Sequence, residues 1–241
     1  MGRQKAAIVA VLLTAAAGQG AADGMTQQAF DLSVAGIRVG TVGLAVETDG
    51  PHYAARGVLR GSGLFGRFVN LAFDGTARGF AQSNGILVPQ SYVSTRGNGD
   101  KTRKVEIAYD RGTPSAVTRT PPRPASRPYD LDPTTQTGTL DPITAAAALL
   151  PDRPSAQTCG RVITIFDGSR RSQIRLANPT PAQGGFSCAG IYERIAGYSP
   201  RSMEKQTRFD FVLRFREQDG IAQVTRIEME TTFGSAIVQR R

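Results

Sequence analysis

From residue 24 onward the apolar positions recur mainly at every second residue, the period of a strand with one buried and one wet face. Residues 206–216 carry the clearest case. Phe209, Phe211, Leu213 and Phe215 fall on one side, and Arg208, Asp210, Arg214 and Arg216 on the other. Val105, Ile107 and Tyr109 alternate in the same way with Lys104 and Glu106. The pattern predicts strands near 27–35, 37–48, 52–60, 70–82, 87–96, 102–110, 161–166, 171–177, 187–195, 206–217, 222–230 and 233–239. Asp49-Gly50-Pro51, Asn84-Gly85, Asp167-Gly168 and Asp219-Gly220 supply turns between them, and Asp167-Gly168, flanked by β-branched runs, is the strongest hairpin signal.

Two of these strands change parity midway. Ile37 and Val39 are odd but Val42, Leu44 and Val46 are even; Ala222 and Val224 are even but Ile227 and Met229 are odd. A slip of one residue moves every side chain to the opposite face, so bulges are predicted near Gly40-Thr41 and near Thr225-Arg226. Such bends let a long sheet curl. The expected fold is therefore all-β: a curled antiparallel sheet, a barrel or β-spiral, with one short helix.

That helix is predicted at 141–150. Asp141 is a good N-cap, Pro142 suits the first helical position, and Pro151 ends the segment. It is expected to plug or cover an open end of the sheet. Before it, residues 113–139 contain Pro114, Pro121, Pro122, Pro124, Pro128 and Pro133 with little apolar content, and read as an extended connector. The division expected is a leader at 1–22 followed by a single β-rich domain at 23–241.

The leader is read from its chemistry. Arg3 and Lys5 precede the uncharged stretch Ala6–Ala17, and Gly20 and Ala22 stand at a −3/−1 pair before Asp23. That is the form of a cleavable signal peptide, and the apolar stretch is shorter than the ~20 residues needed to span a bilayer. No transmembrane segment is expected in the mature chain, which is assigned to the periplasm. The formal net charge of +9 at pH 7 is then not a nucleic-acid signal. Outside the cytoplasm it points to an anionic envelope component or lipid, or to a protein partner. Lys101, Arg103 and Lys104 form the densest basic run, followed by Arg201, Lys205 and Arg208.

Candidate chemistry is sparse. The two cysteines, Cys159 and Cys188, form an even set in an exported chain and are expected to be joined by a disulfide that staples the 161–195 strands. One histidine and two cysteines exclude a His-rich metal centre, a zinc ribbon and an iron–sulfur cluster; no metal or other cofactor is expected. Gly61-Ser62-Gly63-Leu64-Phe65-Gly66 matches G-x-G-x-x-G, but a further strand follows where a nucleotide site needs a helix. It reads as a turn whose Leu64, Phe65 and Phe68 form an apolar flap. His52 lies at a turn edge with no serine elbow to serve. No catalytic residue is assigned. The candidate ligand groove or core face is Phe65, Phe209, Phe211, Leu213 and Phe215, with Leu44, Val46, Val105 and Ile107 on the same inward set.

The ordered motifs resemble a known family. They are the strand with Gly36, Gly40 and Gly43, the Leu87-Val88-Pro89-Gln90-Ser91-Tyr92 segment, the Asp141-Pro142-Ile143-Thr144-Ala145 helix start and the Phe166-Asp167-Gly168-Ser169-Arg170 hairpin. Together they are similar to an exported proteobacterial family known only as a domain of unknown function, over most of residues 27–239. The architecture is also similar to alphaproteobacterial periplasmic β-spiral proteins of envelope integrity. The resemblance implies no catalytic residue. The leading reading is a non-enzymatic envelope factor binding a lipid, polymer or protein partner, since a curled antiparallel sheet can enclose an apolar cavity or groove; the alternative is a periplasmic hydrolase acting on an envelope polymer. Acidic residues clustered at one mouth of the sheet would be the sign of the enzyme, and an apolar cavity without convergent polar groups the sign of the binder.

Export makes two measurable demands. N-terminal sequencing of the periplasmic protein should find a chain beginning at Asp23, or two residues earlier. Thiol titration of the unreduced, unfolded protein should find no free thiol, and replacing both cysteines with Ala should remove roughly 3.5 kcal/mol of stability while the fold survives.

Overall fold

The computed structural model describes residues 24–62, 72–97, 99–123 and 125–241. The leader at 1–22 and the flap residues Leu64, Phe65 and Phe68 lie outside them. Seven strands come first: β1 (Gly24–Val34), β2 (Ile37–Asp49), β3 (His52–Gly61), β4 (Ala72–Ala81), β5 (Leu87–Arg96), β6 (Arg103–Asp110) and β7 (Thr113–Thr120). Helix α1 (Pro142–Leu149) follows, then β8 (Arg153–Pro154), β9 (Val162–Phe166), β10 (Arg171–Leu176), β11 (Thr180–Ala182) and β12 (Gly185–Ala196). Helix α2 (Pro200–Lys205) leads into β13 (Arg208–Gln218), β14 (Ile221–Thr231) and β15 (Gly234–Arg240).

All the named strands join one antiparallel sheet, in the order β7-β6-β5-β4-β3-β2-β1-β15-β14-β13-β12-β10-β9, with β11 beside β12 and β8 beside β14. The chain thus meanders outward through seven strands and returns along the other side of β1. The parity changes are real bulges. Leu32 faces Gly40 but Ser33 faces Arg38, leaving Val39 extra; Arg214 faces Arg226 but Phe215 faces Val224, leaving Thr225 extra.

Four elements differ from the sequence reading: β7, the short strands β8 and β11, and α2. The connector at 113–139 opens with a strand, β7. Its Pro114 sits at a register shift opposite Tyr109, on an edge strand, where a missing N–H costs no ladder bond. A second helix, α2, is present; Ser199 caps it and its six residues are too few to show a helical period.

The sheet curls around α1. Ile143 and Ala147 pack with Leu44, Val46, Tyr53, Ala77, Tyr92 and Ile107 from β2 to β6. Ala145 and Ala148 meet Ile163 and Ile165 of β9. Leu149 and Leu150 reach the second core, built from Phe30, Leu176, Phe186, Leu213, Phe215 and Val224. Phe211 is half-buried against that core, and Phe209 packs on Tyr192. Cys188 lies fully buried there and is bonded to Cys159, with the Cα atoms 5.8 Å apart.

Both ends of α1 are satisfied by design of the sequence. Asp141 accepts from the backbone N–H groups of Ile143 (2.9 Å) and Thr144 (2.8 Å) and from the Thr144 hydroxyl (2.5 Å), and Thr144 in turn contacts the Tyr53 hydroxyl at 2.7 Å. At the other end Arg161 donates to the Ala148 carbonyl (2.7 Å) and Gln28 to that of Leu150 (2.9 Å).

Asp141 is fully buried, and desolvation lifts its pKa to about 6 despite these hydrogen bonds. Its unfolded value is about 3.9. Between these values the folded state binds the extra proton, so this residue's contribution to stability rises as pH falls from about 6 to about 4 and is lost as pH rises through about 6. Asn keeps the cap without the charge. Asp141→Asn should therefore gain on the wild type by on the order of 2 kcal/mol between pH ~4 and pH ~7.5, read by urea unfolding at both pH values.

Candidate cationic cleft at the sheet seam

The two end strands, β7 and β9, do not hydrogen-bond to each other. The connector closes the gap: its 3-10 turn Pro133–Thr135 packs on β7, and Leu140 forms a parallel bridge with Ile165 of β9. Side chains complete the seam. Arg119 on β7 donates to the Gly168 carbonyl and to the Ser169 hydroxyl (3.1 Å), and Arg123 donates to the same hydroxyl at 2.5 Å. Gly168 has φ +88°, and a Cβ there would lie 2.8 Å from Val105 Cγ1, so this turn needs glycine both for its conformation and for its approach to β6. Burial, and then the neighbouring Arg123, lower the Arg119 pKa; its Nε finds no partner among the described residues.

Beside this seam lies a cleft of about 220 Å³. Arg96 and Arg103 reach it from β5 and β6, Arg123 and Arg127 from the connector, and Arg170 from the β9–β10 turn; Tyr92, Tyr129 and Ser169 complete the polar lining. Its two carboxylates are already engaged. Asp130 pairs with Arg123 and accepts from the Arg127 N–H (2.9 Å); burial would raise its pKa, but these donors outweigh it and hold the group below the ordinary carboxylate range. Asp167 Oδ1 accepts from the N–H groups of Ser169 and Arg170, both at 2.9 Å, in a local turn. Among the described residues Arg96, Arg103, Arg127 and Arg170 have no ion-pair partner. Ring contacts hold three of them in place: Arg170 lies 5.2 Å from the Tyr198 ring, Arg127 5.8 Å from Tyr129 and Arg96 6.0 Å from Phe73. A planar guanidinium fixed by stacking, with free N–H groups, is suited to phosphate or carboxylate oxygens.

A larger cleft of about 580 Å³ opens at the other end of the sheet, between the α1 C-terminus (Ala147, Ala148, Pro151) and Met25, Val46 and Leu87. Its lining mixes these apolar groups with Gln82, Asn84, Arg153 and Gln157. Phe209, Phe211, Leu213 and Phe215 line neither cleft; Leu213 and Phe215 are buried in the second core. Phe65 lies outside the described residues. His52 is exposed at its turn and packs on Phe80, with ring centroids 5.0 Å apart. β3 and β4 pair antiparallel on either side of the G-x-G-x-x-G segment, so the parallel strand a dinucleotide site requires is not there. No group of three or more His, Cys, Asp or Glu that could hold a metal ion occurs among the described residues.

Of the five cleft arginines the basic run at 101–104 contributes only Arg103. The others come from three separate stretches of the sequence and meet because the connector and the β9–β10 turn share the seam.

No curated protein and no solved structure matches the chain. A family model does, over residues 29–179, from β1 through β10, taking in α1, the seam and every arginine of the cleft. That match covers more than half of the sequence, so the chain belongs to the family described as protein of unknown function DUF3108.

Proposed function

We propose that this protein is a non-enzymatic, exported envelope factor that captures an anionic group, a phosphate or carboxylate of an envelope lipid or polymer, in the seam cleft. The observation that carries the reading is the convergence of Arg96, Arg103, Arg127 and Arg170, without ion-pair partners among the described residues, on one small cavity. The five arginines of the cleft outnumber its two carboxylates, and that excess of positive charge is unfavourable unless an anion joins it. The Cys159–Cys188 bond fits an oxidising compartment, as an exported protein requires. The hydrolase alternative needs free carboxylates at a mouth of the sheet. Asp130 and Asp167 are tied into the seam, Asp141 is sealed in the core beneath α1, and the exposed Asp49, Asp110, Glu217 and Asp219 at the opposite end of the sheet are spread over three separate turns.

Calorimetric titration with pyrophosphate and with a short polyuronate separates phosphate from carboxylate ligands. The Arg96→Glu/Arg127→Glu protein should bind the preferred anion at least about tenfold more weakly, and added salt should weaken binding by the wild type. Arg216→Glu, a single charge reversal on exposed β13, should leave affinity unchanged. Folded wild type that binds neither anion, or equal weakening by Arg216→Glu, would overturn the reading.

A further inference from the structure

The antiparallel order sends the connections alternately to two ends of the sheet. One rim carries the β1–β2 turn, the Gly99–Lys101 turn, the start of the connector, the β9–β10 turn, α2 and the β14–β15 turn; the seam cleft opens on this rim. Across the rim from the cleft, at the middle of the strand order, two large apolar side chains stand in solvent: Phe233 is 81% exposed and Ile37 58%. Neither is a frayed end. The Phe233 N–H donates to the Thr231 hydroxyl (3.1 Å), which itself donates to the Gly234 carbonyl (2.6 Å). The Ala35 N–H donates to the Ser235 carbonyl (3.0 Å), so the two turns support each other and hold both side chains outward.

The same rim is cationic. Lys101, Arg103, Arg127, Arg170, Arg201 and Lys205 are exposed on it, against exposed Asp100, Glu204 and Glu230. The opposite rim also exposes apolar residues, Met25 and Ile86, but its turns carry exposed Asp49, Asp110, Glu217 and Asp219 against one exposed cation, Arg111, which pairs with Asp110. Charge therefore decides which end an anionic surface would meet.

We infer that the cleft-bearing rim is the face on which this protein docks to an anionic lipid bilayer. The basic side chains approach the head groups, and Phe233 and Ile37 enter the interface as apolar anchors. Each basic side chain brought to such a surface raises affinity about fivefold, and an inserted Phe adds about tenfold or more. The docking depends on the Proposed function in one respect only: the cleft then faces head-group phosphates, so the anion it captures belongs to the surface on which the protein lies.

The test is co-sedimentation with phosphatidylcholine vesicles with and without phosphatidylglycerol, run beside the pyrophosphate titration. Wild type should be retained on the anionic vesicles and not on the neutral ones. Phe233→Asp/Ile37→Asp should lower retention at least about tenfold with pyrophosphate affinity unchanged. Arg201→Glu/Lys205→Glu, on α2, should lower it by more than tenfold and make it less sensitive to salt. Equal retention of the Phe233/Ile37 variant, or wild type that binds pyrophosphate yet ignores anionic vesicles, overturns the docking and leaves the cleft intact. Retention without binding of either pyrophosphate or polyuronate overturns the cleft reading and leaves the docking intact.

Discussion

Much of this molecule depends on one carboxylate held inside an apolar enclosure. Asp141 caps α1 from within the curled sheet, and α1 is the body around which the sheet closes. The helix has eight residues, too few to be stable alone. It persists because Ile143 and Ala147 fill the first core, Ala145 and Ala148 meet β9, and Leu149 and Leu150 reach the second. Without the cap, the N–H groups of Ile143 and Thr144 would be orphaned in a place water does not reach. Small side chains around the helix permit the close fit. A Cβ on Gly57 would lie 2.5 Å from Ile143 Cδ1, so glycine on β3 lets the sheet touch the helix.

The curl brings the end strands near each other without joining their backbones. That leaves a seam where peptide hydrogen bonds give way to side chains, and arginine is suited to it: one guanidinium can donate to a carbonyl and a hydroxyl at once, as Arg119 does to Gly168 and Ser169. The connector that carries Arg123 and Arg127 is held at both ends, by β7 and by the Leu140 bridge, so its proline content serves to lay an extended chain along the seam. The cleft is a by-product of this closure. Its walls come from both free ends of the sheet, and its charge comes from the residues that close them.

Sequence made the repeating features legible. Period two located the strands, parity breaks located the Val39 and Thr225 bulges, and Asp141-Pro142 located the helix start. Each of these is a local rule that a buried face or an orphaned N–H enforces on neighbouring residues. β7 obeys a different constraint: only its edge position and bulge admit Pro114, and neither is visible until the partner strand is known. The cleft was least legible, since Arg96, the Arg123–Arg127 stretch and Arg170 lie far apart in sequence and become neighbours only through closure. The aromatic face of β13 was conspicuous because it alternates, and alternation of large apolar groups signals the core: Leu213 and Phe215 are buried there.

These constraints act on different parts of the molecule. The helix and its two cores use the inward face of the sheet, and the disulfide ties the 155–160 loop to β12 on that same face. What is left to vary without cost to the interior is the rim, where side chains answer only to solvent. Phe233 and Ile37 would be disfavoured at such positions if water were the rim's only neighbour. Unpaired guanidinium groups gathered there would likewise repel one another. Both features lose their cost against an anionic interface, which takes up apolar side chains and neutralises the arginines together. A single surface thus accounts for two features that the packing of the fold does not require.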